Sequence, residues 1–191
     1  YLNTKAINQT IIECNKNGGG TILIPKGKFL TGTIRLLSNV SIKLESGAEI
    51  IGSKNISDYM IMPDGYYYSG INYAGIFFAN NIENVSISGN GKIKGNASLF
   101  MNFKKRFRWS KNESRLTRQG EKYMSNENIE DGPVDYDERP GHLITISNSR
   151  NIKINDLYLE DSPKWTIRIG GSENINIHKI VIDNNLFIPN N

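Results

Sequence analysis

Two stretches, NSRNIKINDLYLEDS at residues 148–162 and GSENINIHKIVIDNN at residues 171–185, superimpose with Asn151 over Asn174, an offset of 23 residues. Both alternate isoleucine with polar residues after the asparagine, NIKIN and NINIH, and contain no helical pattern, so each reads as short strands joined by tight bends. The offset continues upstream, placing Ile144 and Ile146 of LITIS over Ile167 and Ile169 of WTIRI. The repeating unit is therefore a whole coil. An asparagine before Val or Ile recurs earlier at Asn39 and Asn84, an interval of 45 residues that reads as about two units. A period in the low twenties made of short strands predicts a solenoid, because one unit cannot bury its apolar face alone and stacked neighbours create a continuous core. A leucine-rich repeat has a similar period but requires leucines at fixed places and usually a helical segment per unit, whereas isoleucine dominates this chain. The expected architecture is all-β, a parallel β-helix with coils about 4.8 Å apart.

The recurrent asparagine suits a bend, since Asn tolerates left-handed backbone and bonds neighbouring main-chain groups. Stacking in the interior is expected at Asn39, Asn84, Asn151 and Asn174. The glycosylation pattern N-x-S also occurs at Asn39, Asn55, Asn84 and Asn96, but at Asn39 and Asn84 the bend role accounts for it. The glycines of SGNGKIKGN precede no helix and read as turn residues rather than a phosphate cradle.

A single helix is predicted, at about residues 4–16, where Ala6, Ile7, Ile11 and Cys14 fall on one face, Asn3 or Thr4 can cap, and Gly18, Gly19 and Gly20 terminate it. Such a helix would cover the open end of the first coil, where strand edges are otherwise exposed. Cys14 reads as part of its apolar face, and a lone cysteine excludes an internal disulfide framework. A net charge of +4 fits a polyanionic partner without requiring one. No apolar run is long enough to span a membrane, and the sequence opens on Tyr1 with no visible signal segment.

One segment, about residues 101–138, interrupts the period; Asn84 and Asn151 lie 67 residues apart. Its first half is basic, with Phe103, Phe107 and Trp109 among the cations, and its second half, from Glu127 to Glu138, is acidic. The acidic half neutralises the basic one, which argues against a nucleic-acid surface. A loop on one face of the solenoid, often the binding face, is expected.

Beyond the period, GGGTILIPKGKFLTGTIRLLSNVSIKLESGAEIIGS, ISGNGKIKG and ERPGHLITISNSRNIKINDLYLEDSPKWTIRI stand in order along the chain. Together they resemble successive landmarks of glycoside hydrolase family 28, the polygalacturonases and their relatives. The resemblance implies a right-handed parallel β-helix forming one domain over residues 1–191, with a cleft for an acidic polysaccharide such as galacturonan. It also implies inverting hydrolysis, in which an acid protonates the leaving oxygen and a carboxylate activates water, the groups lying about 6.5–9.5 Å apart. No cofactor or metal follows from it, no nucleic acid or membrane is involved, and a secreted or periplasmic location would suit the substrate.

The same resemblance places Pro189 and Asn190 on a family motif that continues through a polar residue to a catalytic aspartate and glycine; Asn191 takes the polar position. Catalytic residues are thus expected immediately after Asn191 and none within the chain, which reads as the N-terminal portion of such an enzyme. Asn190 and Arg168 are the candidate substrate-binding residues. Relatives often carry histidine where Arg168 stands, and a guanidinium there suits a uronate carboxylate as well as it suits open solvent. Trp165, in SPKW, is expected to pack rather than to serve as a sugar platform. Asp156, Glu160, Asp161 and Asp183 are read as turn caps or a solvated face, and His142 and His178 as structural or surface residues. Rival readings from other classes are a non-catalytic β-helical carbohydrate-binding or adhesin module and a calcium-dependent pectate lyase. Self-association through the edge of the last coil is a further expectation.

Overall fold

The computed structural model describes residues 1–63, 72–106, 134–136 and 138–184. Helix α1 (Thr4–Lys16) opens the chain, and strands follow in short succession: β1 (Gly20–Ile24), β2 (Gly27–Thr31), β3 (Ile34–Arg35), β4 (Val40–Leu44), β5 (Ala48–Gly52) and β6 (Phe77–Asn80). The next coils comprise β7 (Glu83–Gly89), β8 (Lys92–Lys94), β9 (Met101–Arg106), β10 (Val134–Tyr136) and β11 (Ile144–Ser147). Strands β12 (Arg150–Asn155), β13 (Tyr158–Glu160), β14 (Ile167–Gly170), β15 (Glu173–His178) and β16 (Val181–Asp183) complete the described order. Three parallel sheets result, ordered β1-β4-β7-β12-β15, β2-β5-β8-β13-β16 and β3-β6-β11-β14, and each turn of the chain visits them in that sequence. The fold is a right-handed parallel β-helix with a capping helix at its start.

Parallel register puts like residues over like. In the first sheet Ile22, Ile42, Ile87, Ile154 and Ile177 form one column. The second contributes Phe29, Ile50, Ile93, Leu159 and Ile182, and the third Ile34, Phe77, Ile144 and Ile167. Most of these side chains are sealed from solvent and form one continuous core. Because β-branched residues on a pleated strand present flat, stiff faces, they stack at the strand spacing with little loss of side-chain freedom.

Helix α1 buries Ile7 and Ile11 against the first coil, with half-buried Cys14 packed alongside. Its polar side chains complete the exposed edge: Asn8 accepts from the Arg35 N–H at 2.8 Å and donates to the Thr33 carbonyl at 2.9 Å, as a strand beside β3 would. Asn15 donates to the Ser38 carbonyl at 2.9 Å. Neither Asn3 nor Thr4 caps the helix through its side chain. The Thr4 hydroxyl instead accepts from the Gly32 N–H, tying the helix to β2. The helix ends at left-handed Gly18 and Gly19, and a Cβ on Gly19 would lie 2.3 Å from the Asn39 carbonyl oxygen, so the chain turns there only because the side chain is missing.

The asparagine column exists, and its position differs from the interior one expected. Asn39, Asn84, Asn151 and Asn174 all have φ between 53° and 63° and lie exposed at the bend leading into the first sheet. Their carboxamides join in series: Asn84 Nδ2 donates to Asn39 Oδ1 at 3.0 Å, Asn151 to Asn84 at 2.9 Å, and Asn174 to Asn151 at 3.1 Å. The bend needs left-handed backbone, which turns these side chains outward.

The interval of 45 residues between Asn39 and Asn84 is one coil, not two, since β4 pairs directly with β7; the 67-residue interval is likewise one coil, since β7 pairs with β12. The extra length falls in the chain between the second and third sheets, from β5 to β6 and from β8 to β11. The other two corners stay short throughout. Within the expected insertion at 101–138, β9 and β10 pair antiparallel, and the remainder lies outside the described residues.

Replacing Asn151 tests the column. Asn151→Ala removes two side-chain hydrogen bonds and puts an ordinary residue at φ 55°, and a loss of about 2 kcal/mol is expected in urea unfolding. Asn151→Gly, free of the backbone penalty, should lose about half as much.

Candidate functional site

The corner between the second and third sheets also gathers the chemically distinctive side chains. In the chain from β13 to β14, Asp161 takes left-handed backbone at φ 53° and turns toward Ser162, Pro163, Lys164 and Trp165. This turn is stapled from several sides. The Ser162 N–H donates to Asn184 Oδ1 at 2.9 Å, Asn184 Nδ2 donates to the Thr166 hydroxyl at 2.7 Å, and the Trp165 carbonyl accepts from the Leu143 N–H at 3.2 Å. One coil below, Gly95 leaves room for it: a Cβ there would stand 2.9 Å from Pro163 Cδ and 2.4 Å from the Asp161 carbonyl oxygen.

Trp165 is 54% exposed, yet its ring is not loose. His142, buried in the coil below, lies under it with ring centroids 5.0 Å apart and an interplanar angle of 27°. The expectation that Trp165 packs is half met, because one face of the indole rests on the imidazole while much of the residue meets solvent. Arg139, also buried, donates from Nη1 to the Pro163 carbonyl at 2.7 Å.

Positive charge converges on this stack. Burial pushes the His142 pKa down to about 4, and Lys164, Arg168 and Arg139 push in the same direction, against a hydrogen bond with the Trp165 main chain. His142 is accordingly neutral near pH 7. The Lys164 ammonium, half-buried, is also driven below its ordinary pKa by burial and then by Arg139. Arg168 lies on the outer face of β14 in register with Thr145 of β11, and its Nη1 passes 3.8 Å from where a Cβ on Gly170 would be. Thr145 and Ser147, on the same outer face, are buried. The arrangement offers an exposed indole and two half-buried cations, Lys164 and Arg168, over a buried imidazole and guanidinium, a set that fits a ligand with both apolar ring faces and carboxylates.

The chain's other notable carboxylates are occupied differently. Glu160 receives Lys92 Nζ at 2.6 Å and Lys94 Nζ at 2.9 Å, bonds that lower its pKa. Asp183 accepts from the Tyr158 hydroxyl at 2.5 Å, and Asp156 from the side-chain nitrogen of Asn155. Asp161, at the turn itself, is half-buried, and burial raises its pKa. Among the described residues, no group of three or more His, Cys, Asp or Glu could hold a metal ion. Of the two predicted binding residues, Arg168 joins the cationic corner, while Asn190 lies outside the described residues. Sequence reasoning gave no role to Arg139 or Lys164 and read His142 as structural or surface; the structure buries it, and the offset of 23 that pairs Ile144 with Ile167 also sets it beneath Trp165.

The model of the glycosyl hydrolases family 28 matches residues 14–190. The chain belongs to this family. The Vitis vinifera protein named "Probable polygalacturonase" is 30% identical over 199 residues, 99% of this chain and 35% of that protein. The Dickeya chrysanthemi exo-poly-alpha-D-galacturonosidase is 36% identical over 107 residues, 50% of this chain and 17% of that enzyme. The solved structure of a hyperthermoactive exopolygalacturonase from Thermotoga maritima superimposes with a TM-score of 0.68 at 26% identity, covering 95% of this chain and 43% of that one. The chain thus spans about a third or less of the length of the curated relatives it matches.

The depressed His142 pKa has a consequence for stability. Well above pH 6.5 the imidazole is neutral folded and unfolded alike, whereas as the pH falls through 6.5 toward about 4 the unfolded chain takes up a proton that the folded one refuses. Stability should therefore fall as pH drops from 6.5 to 4. His142→Asn should flatten this part of the pH dependence of thermal unfolding, and an unchanged slope would show that the imidazole is not buried neutral.

Proposed function

We propose that this chain is part of a polygalacturonase-type hydrolase that cleaves α-1,4-galacturonosidic bonds in pectin by an inverting acid/base reaction, and that its cationic corner grips the uronate chain. The observation that carries the reading is the exposed Trp165 ring stacked on neutral His142 with Arg139, Lys164 and Arg168 around it. A galacturonate unit has an apolar C–H face suited to an indole and a carboxylate suited to a guanidinium, and the corner supplies both groups. Family membership and the names of the relatives support the substrate class. The acid and base carboxylates, like Asn190, are assigned outside the described residues, so the described coils contribute recognition. An extracellular or periplasmic location follows from the substrate. Among the described residues no helix is long and apolar enough to cross a membrane.

Titrating the chain with a galacturonate oligomer by calorimetry tests the recognition half. Trp165→Ala is expected to weaken binding roughly tenfold and Arg168→Gln by a similar factor, each about 1.4 kcal/mol. Trp165→Phe should retain most of the affinity, and the fully methyl-esterified oligomer should be insensitive to Arg168→Gln. Equal affinity of wild type and both loss variants would overturn the reading. Reducing-end release from polygalacturonate by the full-length protein tests the chemistry, whereas calcium-dependent formation of an unsaturated, ultraviolet-absorbing product would assign a lyase instead.

A further inference from the structure

Arg139 is placed unlike the other cations of the corner. It is buried, 5% exposed, and follows directly after Glu138, whose carboxylate accepts from the Tyr73 hydroxyl at 3.4 Å. Two residues on, the Gly141 N–H donates to the Ala74 carbonyl, and a Cβ on Gly141 would lie 2.3 Å from the Tyr73 carbonyl oxygen. The stretch 138–141 is thereby fixed against the coil below. From that base the guanidinium reaches the coil above, to the Pro163 carbonyl at 2.7 Å.

The bonded carbonyl sits two residues before Trp165, in a turn where a proline removes one main-chain donor. The Trp165 carbonyl is held separately by Leu143 and Ser162, the latter at 3.3 Å. The main chain around Trp165 is thus held at the Trp165 and Pro163 carbonyls, and of these two the Pro163 carbonyl is bonded by a charged side chain from another coil. The same guanidinium is one of the charges acting on His142 and Lys164, the groups flanking the indole.

We infer that Arg139 is a positioning residue for the proposed polysaccharide site: through the Pro163 carbonyl it fixes the turn that presents Trp165, without itself touching the sugar. The inference rests on the functional reading for its ligand, but its structural half can be measured without any ligand. A guanidinium suits the role because it stays charged under burial and its fixed fork loses less freedom per bond than a lysine stem.

The test uses the full chain in a Trp109→Phe background, which leaves Trp165 as its single indole, and compares Arg139→Gln with Arg139→Lys. Glutamine loses both reach and charge, so Trp165 emission should shift to the red, acrylamide quenching should rise, and galacturonate-oligomer affinity should drop roughly tenfold. Lysine keeps charge and one donor, and should fall between wild type and glutamine in all three readouts. The His142 imidazole, followed by NMR and assigned with His142→Asn, faces Arg139, Lys164 and Arg168; its titration should move up in Arg139→Gln and stay in place in Arg139→Lys. A general loosening of the fold would move that titration in both variants, whereas a local change moves it only where the charge is lost. Unchanged Trp165 emission and affinity in Arg139→Gln overturns the inference. Should the glutamine variant not fold, Arg139→Lys decides alone, with wild-type emission and affinity as the overturning result. If wild type binds no galacturonate, the functional reading fails, while the emission and titration results still judge the role of Arg139.

Discussion

Every other property of this structure depends on the parallel hydrogen-bond spacing that sets one coil on the next. Because that spacing is about 4.8 Å, a residue type that satisfies a position in one coil satisfies it in its neighbours, and deviations propagate no further than the adjacent rungs. The isoleucine columns and the asparagine bend column are the same constraint expressed in the core and at a corner. In the first the match is one of shape, and in the second it is one of hydrogen-bond donor and acceptor along the axis. Helix α1 shows the constraint from outside, since its asparagines reproduce the bonding of a strand where the first coil has no strand before it.

Chain length is free to vary at one corner only, and that is where the charged and aromatic groups collect. Two of the corners are closed by tight bends whose left-handed residues leave no slack. At the third the chain is longer from β5 to β6 and from β8 to β11, and it is still in register at β6 and β11. A surface built beside such excursions can change its loops without disturbing the columns that support it. Trp165 and Arg168 gain rigidity from β14 and its turn, while their surroundings are set by chain arriving from other coils.

The fold was legible because the repeat wrote the same pattern several times: the superposition of residues 148–162 on 171–185 set the register that β12 and β15 display. Coil number was misjudged where a single coil carried a long excursion, since periodicity measures distance along the chain and cannot see a loop that leaves and returns. The outward face of the asparagine column was missed for a related reason; left-handed backbone could be read from residue type, but not the direction in which it sends the side chain. The site was less legible. Arg168 was singled out by resemblance, whereas the structural or surface reading of His142 did not use the repeat, which places it under Trp165. Arg139 carried no signal of its own, because its role depends on a contact with a main-chain carbonyl that any residue could offer.

The asparagine column has a direction. Each carboxamide donates toward the preceding coil and accepts from the following one, so the amide dipoles of Asn39, Asn84, Asn151 and Asn174 add along the axis instead of cancelling. As in an α-helix, aligned dipoles polarise one another and build partial charge at the two ends, positive toward Asn39 and negative toward Asn174. A coil laid on the far end would then be selected for a donor at this bend: asparagine or glutamine would extend the array, whereas aspartate would set a carboxylate against the Asn174 oxygen and close it.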